Sequence, residues 1–238
     1  MILKDFNLMK WIGGNSFRTS HYPYSELIMD EADAQGFIVI NEVPAVGLNS
    51  FSNDLLTQHL QTIKELIERD KNRPSVFMWS IANEPNSEKS QASSYFEKVA
   101  SEARAQDPSK RLITGASNKY LNKDYMAPLL DVVMVNEYFG WYIDLGYPQV
   151  ILDHLTINIT KFYNKIKKPI IISEYGAETI AGMHTDPTLA FSEDYQEELL
   201  IETHKAFDIL QSKGFLIGEH IWNFADFMTE QSNYNLFI

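Results

Sequence analysis

The feature that most constrains this chain is a series of short apolar runs that alternate with amphipathic helical patterns. The clearest run is 76–82, in which six of seven residues are apolar and polar positions do not alternate with them. Such a run predicts a strand buried on both faces, as in a parallel sheet covered by helices. Pro85 cannot donate to a sheet ladder, so the strand must end and display Glu84 at its carboxyl end.

The same design recurs along the chain. A second apolar run, 169–173, ends in Glu174, and further strands are predicted at 15–22, 37–42, 112–116, 131–138 and 215–222. Helical patterns fall at 2–12, 25–36, 53–71, 90–106, 148–168 and 192–214. Strands and helices in strict alternation predict an α/β fold. Eight parallel strands make a TIM barrel, so seven strands that start after a helix predict a (β/α)8 barrel without its first strand and last helix.

Composition limits the partners. With 238 residues and 45% hydrophobic content, the chain can bury the core of one barrel domain or of two small domains. The net charge of -12 argues against nucleic acid and anionic membrane surfaces. No apolar run is long enough to cross a membrane, and the first residues do not form a secretory signal. A small neutral or polyhydroxylated ligand is the expected partner.

Glu84 and Glu174 are the strongest candidates for chemistry. Two carboxylates at strand ends predict glycosidic bond cleavage, in which one protonates the leaving oxygen and the other attacks or activates water. Each glutamate alone fits a helix cap or a structural ion pair equally well. The presence of Asn83 before one and an aromatic residue after the other favours the catalytic interpretation, because Asn83 can bind a sugar 2-hydroxyl.

Other strand ends carry aromatic and acidic residues. Among the aromatics, Tyr138 and Trp222 have the placements most typical of sugar stacking, whereas most such rings fill the core or the rim. His21 is expected to line the site. Three further glutamates are expected in hydrogen-bonded networks inside the barrel mouth: Glu42, Glu137 and Glu219.

The sequence lacks the motifs that are typical of metal and nucleotide sites. The chain has no cysteine, and its six histidines show no two-histidine spacing of the zinc protease kind. The pair His184 and Asp186 is too weak to predict a metal. Neither a glycine-rich phosphate loop nor a Gly-x-Ser-x-Gly elbow is present.

Five ordered motifs resemble the catalytic barrel of the family 2 glycoside hydrolases, and within that family the lysosomal enzymes of animals that cleave β-D-glucuronosides. The likeness covers the chain from its start to about Ser232. The motifs are Phe17-Arg-Thr-Ser-His-Tyr-Pro23, Trp79-Ser-Ile-Ala-Asn-Glu-Pro85, Asn136-Glu-Tyr-Phe-Gly-Trp-Tyr142, Ser173-Glu-Tyr-Gly-Ala-Glu-Thr-Ile-Ala-Gly182 and Ile221-Trp-Asn-Phe-Ala-Asp-Phe-Met-Thr-Glu230.

The resemblance implies residue roles. Glu84 matches the acid/base, Glu174 the nucleophile, and Tyr138 the tyrosine that supports the nucleophile. Three more residues match substrate-pocket positions: Asn83, Tyr142 and Trp222. It also implies retention of anomeric configuration, no cofactor, a homotetramer and a lysosomal location.

The sequence departs from the family pattern in three places. The β-sandwich and immunoglobulin-like domains that precede the barrel are not found, nor is a first strand with a His-Glu-Asp segment. The tail 233–238 lacks the Asn-x-Lys element that recognises the glucuronate carboxylate. We therefore expect 1–238 to be a partial catalytic barrel. A β-galactosidase or β-mannosidase of the same family, or an inactive fragment that misfolds or binds a partner through open edges, are the alternatives.

Overall fold

In a computed structural model, the structure describes residues 1–120, 123–225 and 227, which form strands alternating with helices. The strands are β1 Ser16–Arg18, β2 Ile38–Glu42, β3 Val76–Asn83, β4 Leu112–Ser117, β5 Val133–Asn136, β6 Ile170–Glu174 and β7 Leu216–Glu219. The helices are α1 Ile2–Trp11, α2 Glu26–Gln35, α3 Asn53–Asp70, α4 Gln91–Gln106, α5 Ile151–Ile166 and α6 Glu193–Ser212. The predicted order of elements is confirmed.

All seven strands lie in one parallel sheet, in sequence order. Among the described residues, β1 and β7 are the two ends of this sheet. Ser16 on β1 and His220 just after β7 are nevertheless joined by a 2.9 Å hydrogen bond between Oγ and Nε2. The sheet is therefore curled so that its ends face each other, which confirms a TIM barrel arrangement with seven described strands.

The apolar core has two layers. The inner layer is a small cluster inside the curled sheet, formed by Ile40, Met78, Ala116, Val132, Met134 and Ile171. The outer and much larger layer lies between the sheet and the helices. Residues of one strand alternate between the two layers, as the pleat requires. Most charged side chains of the strands therefore lie at the strand ends, although small polar residues such as Ser80 and Thr114 are buried within the strands.

Local sequence signals set the helix boundaries. Ser25, Ser52 and Ser192 accept hydrogen bonds from the first turns of α2, α3 and α6, which satisfies donors that have no partner within the helix. Gly36 ends α2 in the left-handed conformation, with φ 76°. The helix predictions at 25–36, 53–71 and 192–214 therefore agree with the structure to within about two residues.

Several strands are shorter than predicted. The strand predicted at 15–22 spans only Ser16–Arg18, and that predicted at 131–138 spans only Val133–Asn136. The residues that follow turn away from the sheet to carry polar groups into the mouth. The helix predicted at 148–168 begins as a short 3-10 turn, Pro148–Val150, before α5. In β3, Phe77 is 50% exposed, so this strand is not buried along its full length.

No described helix is long and apolar enough to cross a membrane.

Candidate active site

Polar side chains from five strands meet at the carboxyl edge of the sheet. Arg18, Glu42, Asn136 and Glu174 are the last residues of β1, β2, β5 and β6, and Glu84 directly follows β3. Parallel strands bring these ends to one rim, where the active sites of TIM barrels lie. The structure thus brings together the two carboxylates that the sequence singles out.

Arg18 is the centre of this rim and was not assigned a role from the sequence. Its side chain is buried, with 4% of the residue exposed. Nη1 donates to Glu42 Oε1 at 2.7 Å, and Nη2 donates to Oε1 of Glu174. The available signal was the position of Arg18 at the end of a strand, in a fold in which other strands end in glutamates.

Glu42 lies in the mouth as predicted. Its Oε1 also accepts from the backbone N–H of His21 at 2.7 Å, and its Oε2 accepts from Ser80 Oγ at 2.6 Å. The carboxylate is fully buried. With Arg18 on one side and these donors on the other, its hydrogen-bonding capacity is satisfied, as a buried charge requires.

Glu174 is held in its ionised form. Burial by itself raises the pKa of this carboxyl, but contacts with His21, Arg18 and Tyr138 outweigh burial and keep the pKa below its usual value. Tyr138 donates from its hydroxyl to Glu174 Oε2 at 2.8 Å. His21 Nε2 lies 3.8 Å from Glu174 Oε1. A carboxylate that is ionised, buried and fixed in position is suited to act as a nucleophile.

The pKa of Glu84 is shifted in the opposite direction, above its usual value. Burial raises its pKa, the hydrogen bond from Asn136 lowers it in part, and the negative charge of Glu174 raises it again. Asn136 Nδ2 donates to Oε1 at 2.7 Å, and Asn118 Nδ2 donates to Oε2 at 2.9 Å. The backbone of Glu84 has φ 48°, which is uncommon for a residue with a side chain and typical of functional sites.

Asn83 and Asn136 connect the two glutamates. Asn83 Oδ1 accepts from Asn136 Nδ2 at 3.1 Å and from Arg18 Nη1 at 3.4 Å. Asn136 Oδ1 accepts in turn from Ser173 Oγ at 2.7 Å. One continuous set of hydrogen bonds therefore runs from Glu84 through Asn136, Asn83 and Arg18 to Glu174. Sequence analysis identified Asn83 but assigned no role to Asn136 or Asn118.

The predicted aromatic and histidine residues stand around the two carboxylates. The rings of Tyr138 and Tyr142 have centroids 4.7 Å apart, and Tyr142 is 62% exposed at the mouth. Trp222 packs against His21, with ring centroids 5.0 Å apart, and the guanidinium of Arg18 lies 5.9 Å from the centre of a Trp222 ring. All seven residues proposed from the sequence therefore lie at the carboxyl edge.

Two other predictions for acidic residues are wrong. Glu137 does not face the mouth: it borders a cavity of about 10 Å³ between the sheet and α5 and α6, lined by Ile151, Leu155, Leu199 and Thr203 among others. Glu219 lies 3.6 Å from His204 of α6. Glu137 follows the alternation of β5, in which Val135 packs toward the helices and Asn136 faces the mouth. The register of β7 is irregular after Leu216, so the side that Glu219 faces cannot be counted from the alternation alone.

The weak histidine motif at 184–186 forms ion pairs instead. His184 lies 3.2 Å from Glu193 and 3.2 Å from Asp194, and its side chain is exposed. In the part of the chain that the structure describes, no group of three or more histidine, aspartate or glutamate side chains is arranged to hold a metal ion.

The geometry defines what this site can do. Burial raises the pKa of the half-buried Glu84, donors lower the pKa of the buried Glu174, and the two are close enough for the charge of Glu174 to raise the pKa of Glu84. Pairs of titratable groups whose pKa values are pushed apart mark an acid and a nucleophile or base. The fold and the site thus define a TIM barrel with the two carboxyl groups of a glycoside hydrolase.

Comparison with known families agrees with this class. Residues 1–238 match the family described as "Glycosyl hydrolases family 2, TIM barrel domain". The chain belongs to this family.

The similar proteins are β-glucuronidases. The dog β-glucuronidase is 49% identical over 235 residues, which are 98% of this chain and 36% of the dog protein. The human β-glucuronidase is 48% identical over the same share of each chain. Among solved structures, a β-glucuronidase from an uncultured Clostridium has a TM-score of 0.93 at 48% identity, covering 98% of this chain and 41% of that one. The β-D-glucuronidase of Dictyoglomus thermophilum has a TM-score of 0.92 at 46% identity, with 98% and 42% covered. The chain thus spans about 36% of the length of the curated relatives.

Proposed function

We propose that this chain is the catalytic domain, residues 1–238, of a retaining glycoside hydrolase that cleaves β-D-glucuronosides. The observation that carries the proposal is the opposite shift of two carboxyl pKa values at one rim: the donors around Glu174 lower its pKa, and burial raises the pKa of Glu84. The substrate class follows the relatives, which are named β-glucuronidases at about half identity.

Glu174 is assigned the role of nucleophile. Its carboxylate attacks the anomeric carbon while the bond to the leaving oxygen breaks, which gives a glycosyl-enzyme. Arg18 and Tyr138 each donate to one oxygen of Glu174, so both oxygens are oriented before the substrate arrives. Since both donors also stabilise negative charge, they favour departure of Glu174 when the intermediate is hydrolysed.

Glu84 is assigned the role of acid and then base. It gives its proton to the leaving oxygen in the first step and takes a proton from water in the second. Its raised pKa suits the first step. After Glu174 becomes an ester, its negative charge no longer raises the pKa of Glu84, so Glu84 becomes a stronger acid and remains ionised more readily as the base.

The remaining residues are assigned to the substrate pocket. Both recorded hydrogen bonds of Asn83 use its amide oxygen, so among the described residues its amide nitrogen stays available for a sugar hydroxyl. Tyr142, Trp222 and His21 surround the same opening and supply ring faces and a donor. The tail 233–238, which lacks the Asn-x-Lys element of the family, lies outside the described residues.

Assembly and location follow the family resemblance. A homotetramer in the lysosome, acting on glycosaminoglycan ends and glucuronide conjugates, is part of this proposal. No cofactor is included, because the two carboxyl groups supply the acid, base and nucleophile that the reaction needs.

The test is to replace Glu174 by Gln and measure hydrolysis of an aryl β-glucuronide, with an aryl β-galactoside beside it. Loss of the nucleophile is expected to lower kcat by about 10⁴-fold or more. Glu97→Gln, on the exposed side of α4, is the matched control and is expected to keep full activity. Activity of Glu174→Gln within about tenfold of the unaltered protein would reject the assignment. Preferential turnover of the galactoside would assign a different sugar to the same machinery.

A further inference from the structure

The two carboxyl oxygens of Glu84 accept hydrogen bonds from two asparagine side chains, one buried and one exposed. Asn136, which donates to Oε1, is buried, and its own oxygen accepts from Ser173 Oγ at 2.7 Å. Asn136 Nδ2 also donates to Asn83 Oδ1, which accepts from Arg18, a group that can only donate. These contacts fix the direction of the amide, so Asn136 donates to Glu84. Asn118, which donates to Oε2, is exposed on the loop that follows β4.

This asymmetry determines where the proton of Glu84 resides. Oε1 accepts from a donor of fixed direction at 2.7 Å, and this hydrogen bond is stronger when Oε1 carries no proton. Oε2 is the oxygen on the exposed side, beside Asn118. The proton that Glu84 transfers is therefore carried on Oε2.

Asn118 can form a hydrogen bond with Glu84 in both protonation states of that carboxyl group. Within residues 1–120, 123–225 and 227, its side chain makes no hydrogen bond other than the one to Glu84. The oxygen and nitrogen of an amide are nearly equal in size, so rotation about the last side-chain bond exchanges an acceptor for a donor. In contrast to Asn136, nothing in the described structure prevents this rotation.

We propose that Asn118 is a positioning residue that follows the protonation state of Glu84: its amide nitrogen holds the ionised Oε2, and its amide oxygen accepts from the protonated Oε2. The inference rests on the proposed function, since it concerns the acid/base of that reaction. In the first step the proton leaves Oε2 for the glycosidic oxygen as the glycosidic bond breaks and Glu174 bonds to the anomeric carbon. In the second step water bonds to the anomeric carbon, its proton passes to Oε2, and Glu174 is released.

Other charges also act on Glu84, so the effect of Asn118 must be separated from theirs. Glu174 raises the pKa of Glu84, and Arg18 and His21 lower it. None of these groups contacts Asn118 in the described structure, and substitution of Asn118 leaves their positions unchanged. A shift caused by Asn118 is therefore local to the bond with Oε2.

The experiment measures the titration of Glu84 and the pH profile of hydrolysis in parallel, on the full chain. The carboxyl titration is read by infrared difference spectroscopy against Glu84→Gln, which requires no turnover. Asn118→Ala removes a donor to the ionised form and an acceptor from the protonated form. Because the hydrogen bond to the charged form is the stronger of the two, the pKa of Glu84 and the alkaline limb of kcat/KM are expected to move up by about half to one pH unit. Asn118→Asp cannot donate when ionised and adds a negative charge, so a larger upward shift is expected.

The matched control is Asn164→Ala, on the exposed side of α5, which is expected to leave both readings unchanged. Equal titration of Glu84 in the unaltered protein and in both Asn118 variants would overturn the inference. A purely structural role would lower thermal stability without moving either pH reading, and that result also overturns it. A shifted titration without any turnover of aryl glucuronide by the unaltered protein would instead contradict the proposed function.

Discussion

Arg18 and Glu174 form a buried ion pair at the rim of the barrel, although 156 positions separate them in the sequence. Arg18 ends the first strand and Glu174 ends the sixth, so the pair crosses the mouth of the curled sheet. The same guanidinium binds Glu42 on the neighbouring strand. One cation thus pairs with two buried carboxylates, and the pKa of the proposed nucleophile depends on it.

Replacement of Arg18 by Met is expected to change both stability and the pH profile. Removing one partner of a buried ion pair leaves uncompensated charge and costs about 3–5 kcal/mol of unfolding free energy. Since Arg18 helps to keep the pKa of Glu174 low, its loss raises that pKa and moves the acid limb of kcat/KM to higher pH. Urea unfolding and a pH–rate series measure the two effects.

The control for this prediction is Arg104→Met. Arg104 pairs with Asp131 at the surface, at 2.6 Å, where the loss of an ion pair costs only about 0–1 kcal/mol. If Arg18→Met is too unstable to purify, Arg18→Lys keeps one charge but cannot contact both carboxylates. An acid limb that stays in place in Arg18→Lys would show that Arg18 does not tune Glu174.

Replacement of Tyr138 by Phe removes one hydrogen bond and little volume. The hydroxyl donates to Glu174 Oε2 at 2.8 Å and stabilises the ionised carboxylate. We expect kcat to fall by about 10- to 100-fold, with the acid limb at higher pH and little change in Tm. Tyr163→Phe, whose ring stacks on Phe215 away from the mouth, is the matched control. Equal kcat values for the two variants would contradict a supporting role for Tyr138.

Replacement of Gly176 by Ala tests the link between the exits of β6 and β7. A Cβ at Gly176 would lie 2.6 Å from the backbone oxygen of Trp222, and the residue has φ 142°. The loop that carries Trp222 must therefore move, and kcat/KM for an aryl glucuronide is expected to fall by about tenfold or more. Gly182→Ala has comparable backbone strain, with φ 79°, but nothing within 4 Å, so it is expected to cost about 1 kcal/mol of stability and leave kcat/KM unchanged. Similar kinetics for both variants would show that the contact with Trp222 is not important.

Glu137 predicts a dependence of stability on pH that is unrelated to catalysis. Burial raises its pKa to about 8, and backbone hydrogen bonds from Tyr138 and Phe139 offset only part of this effect. Because the folded pKa lies above the unfolded value, the folded state binds the proton more tightly between about pH 4.5 and pH 8. Stability therefore falls as pH rises through that window, and the loss is complete above it.

The variant Glu137→Gln is expected to remove this slope. Its unfolding free energy should exceed that of the unaltered protein by a few kcal/mol, on the order of 1.4 kcal/mol for each unit of pKa shift, at pH 9 and be similar at pH 4. Urea unfolding at both pH values measures the difference, with Glu97→Gln as an exposed control. Parallel stability curves for Glu137→Gln and the unaltered protein would contradict a buried neutral carboxyl group.

Much of this molecule follows from local patterns. The apolar runs at 76–82 and 169–173 predict buried strands because no polar residue interrupts either face for long. Pro85 ends one strand and exposes Glu84, and Ser25 and Gly36 bound a helix by satisfying its free donors and acceptors. These effects act over a few neighbouring residues, so the strand and helix boundaries can be predicted from the sequence alone.

The hydrogen-bond and ion-pair partners of the site residues could not be predicted from local sequence patterns. The sequence pointed to Glu84 and Glu174, but it did not indicate that Asn118 and Asn136 bind the former or that Arg18 binds the latter. It also placed Glu137 in the mouth, whereas that residue lies on the same side of β5 as Val135 and borders the cavity next to the helices. Contacts between strands depend on register and twist, which small local irregularities change.

The sequence by itself determined the order of strands and helices, the positions where strands end, and the two acidic residues presented there. Only the tertiary structure decided in which direction the pKa of each is shifted. A pKa is set by burial and by the charges within a few ångströms, and these neighbours come from strands far apart in the chain. Curling of the sheet places Arg18 beside Glu174 and amides beside Glu84, and this difference in surroundings shifts the pKa values of two chemically identical side chains in opposite directions.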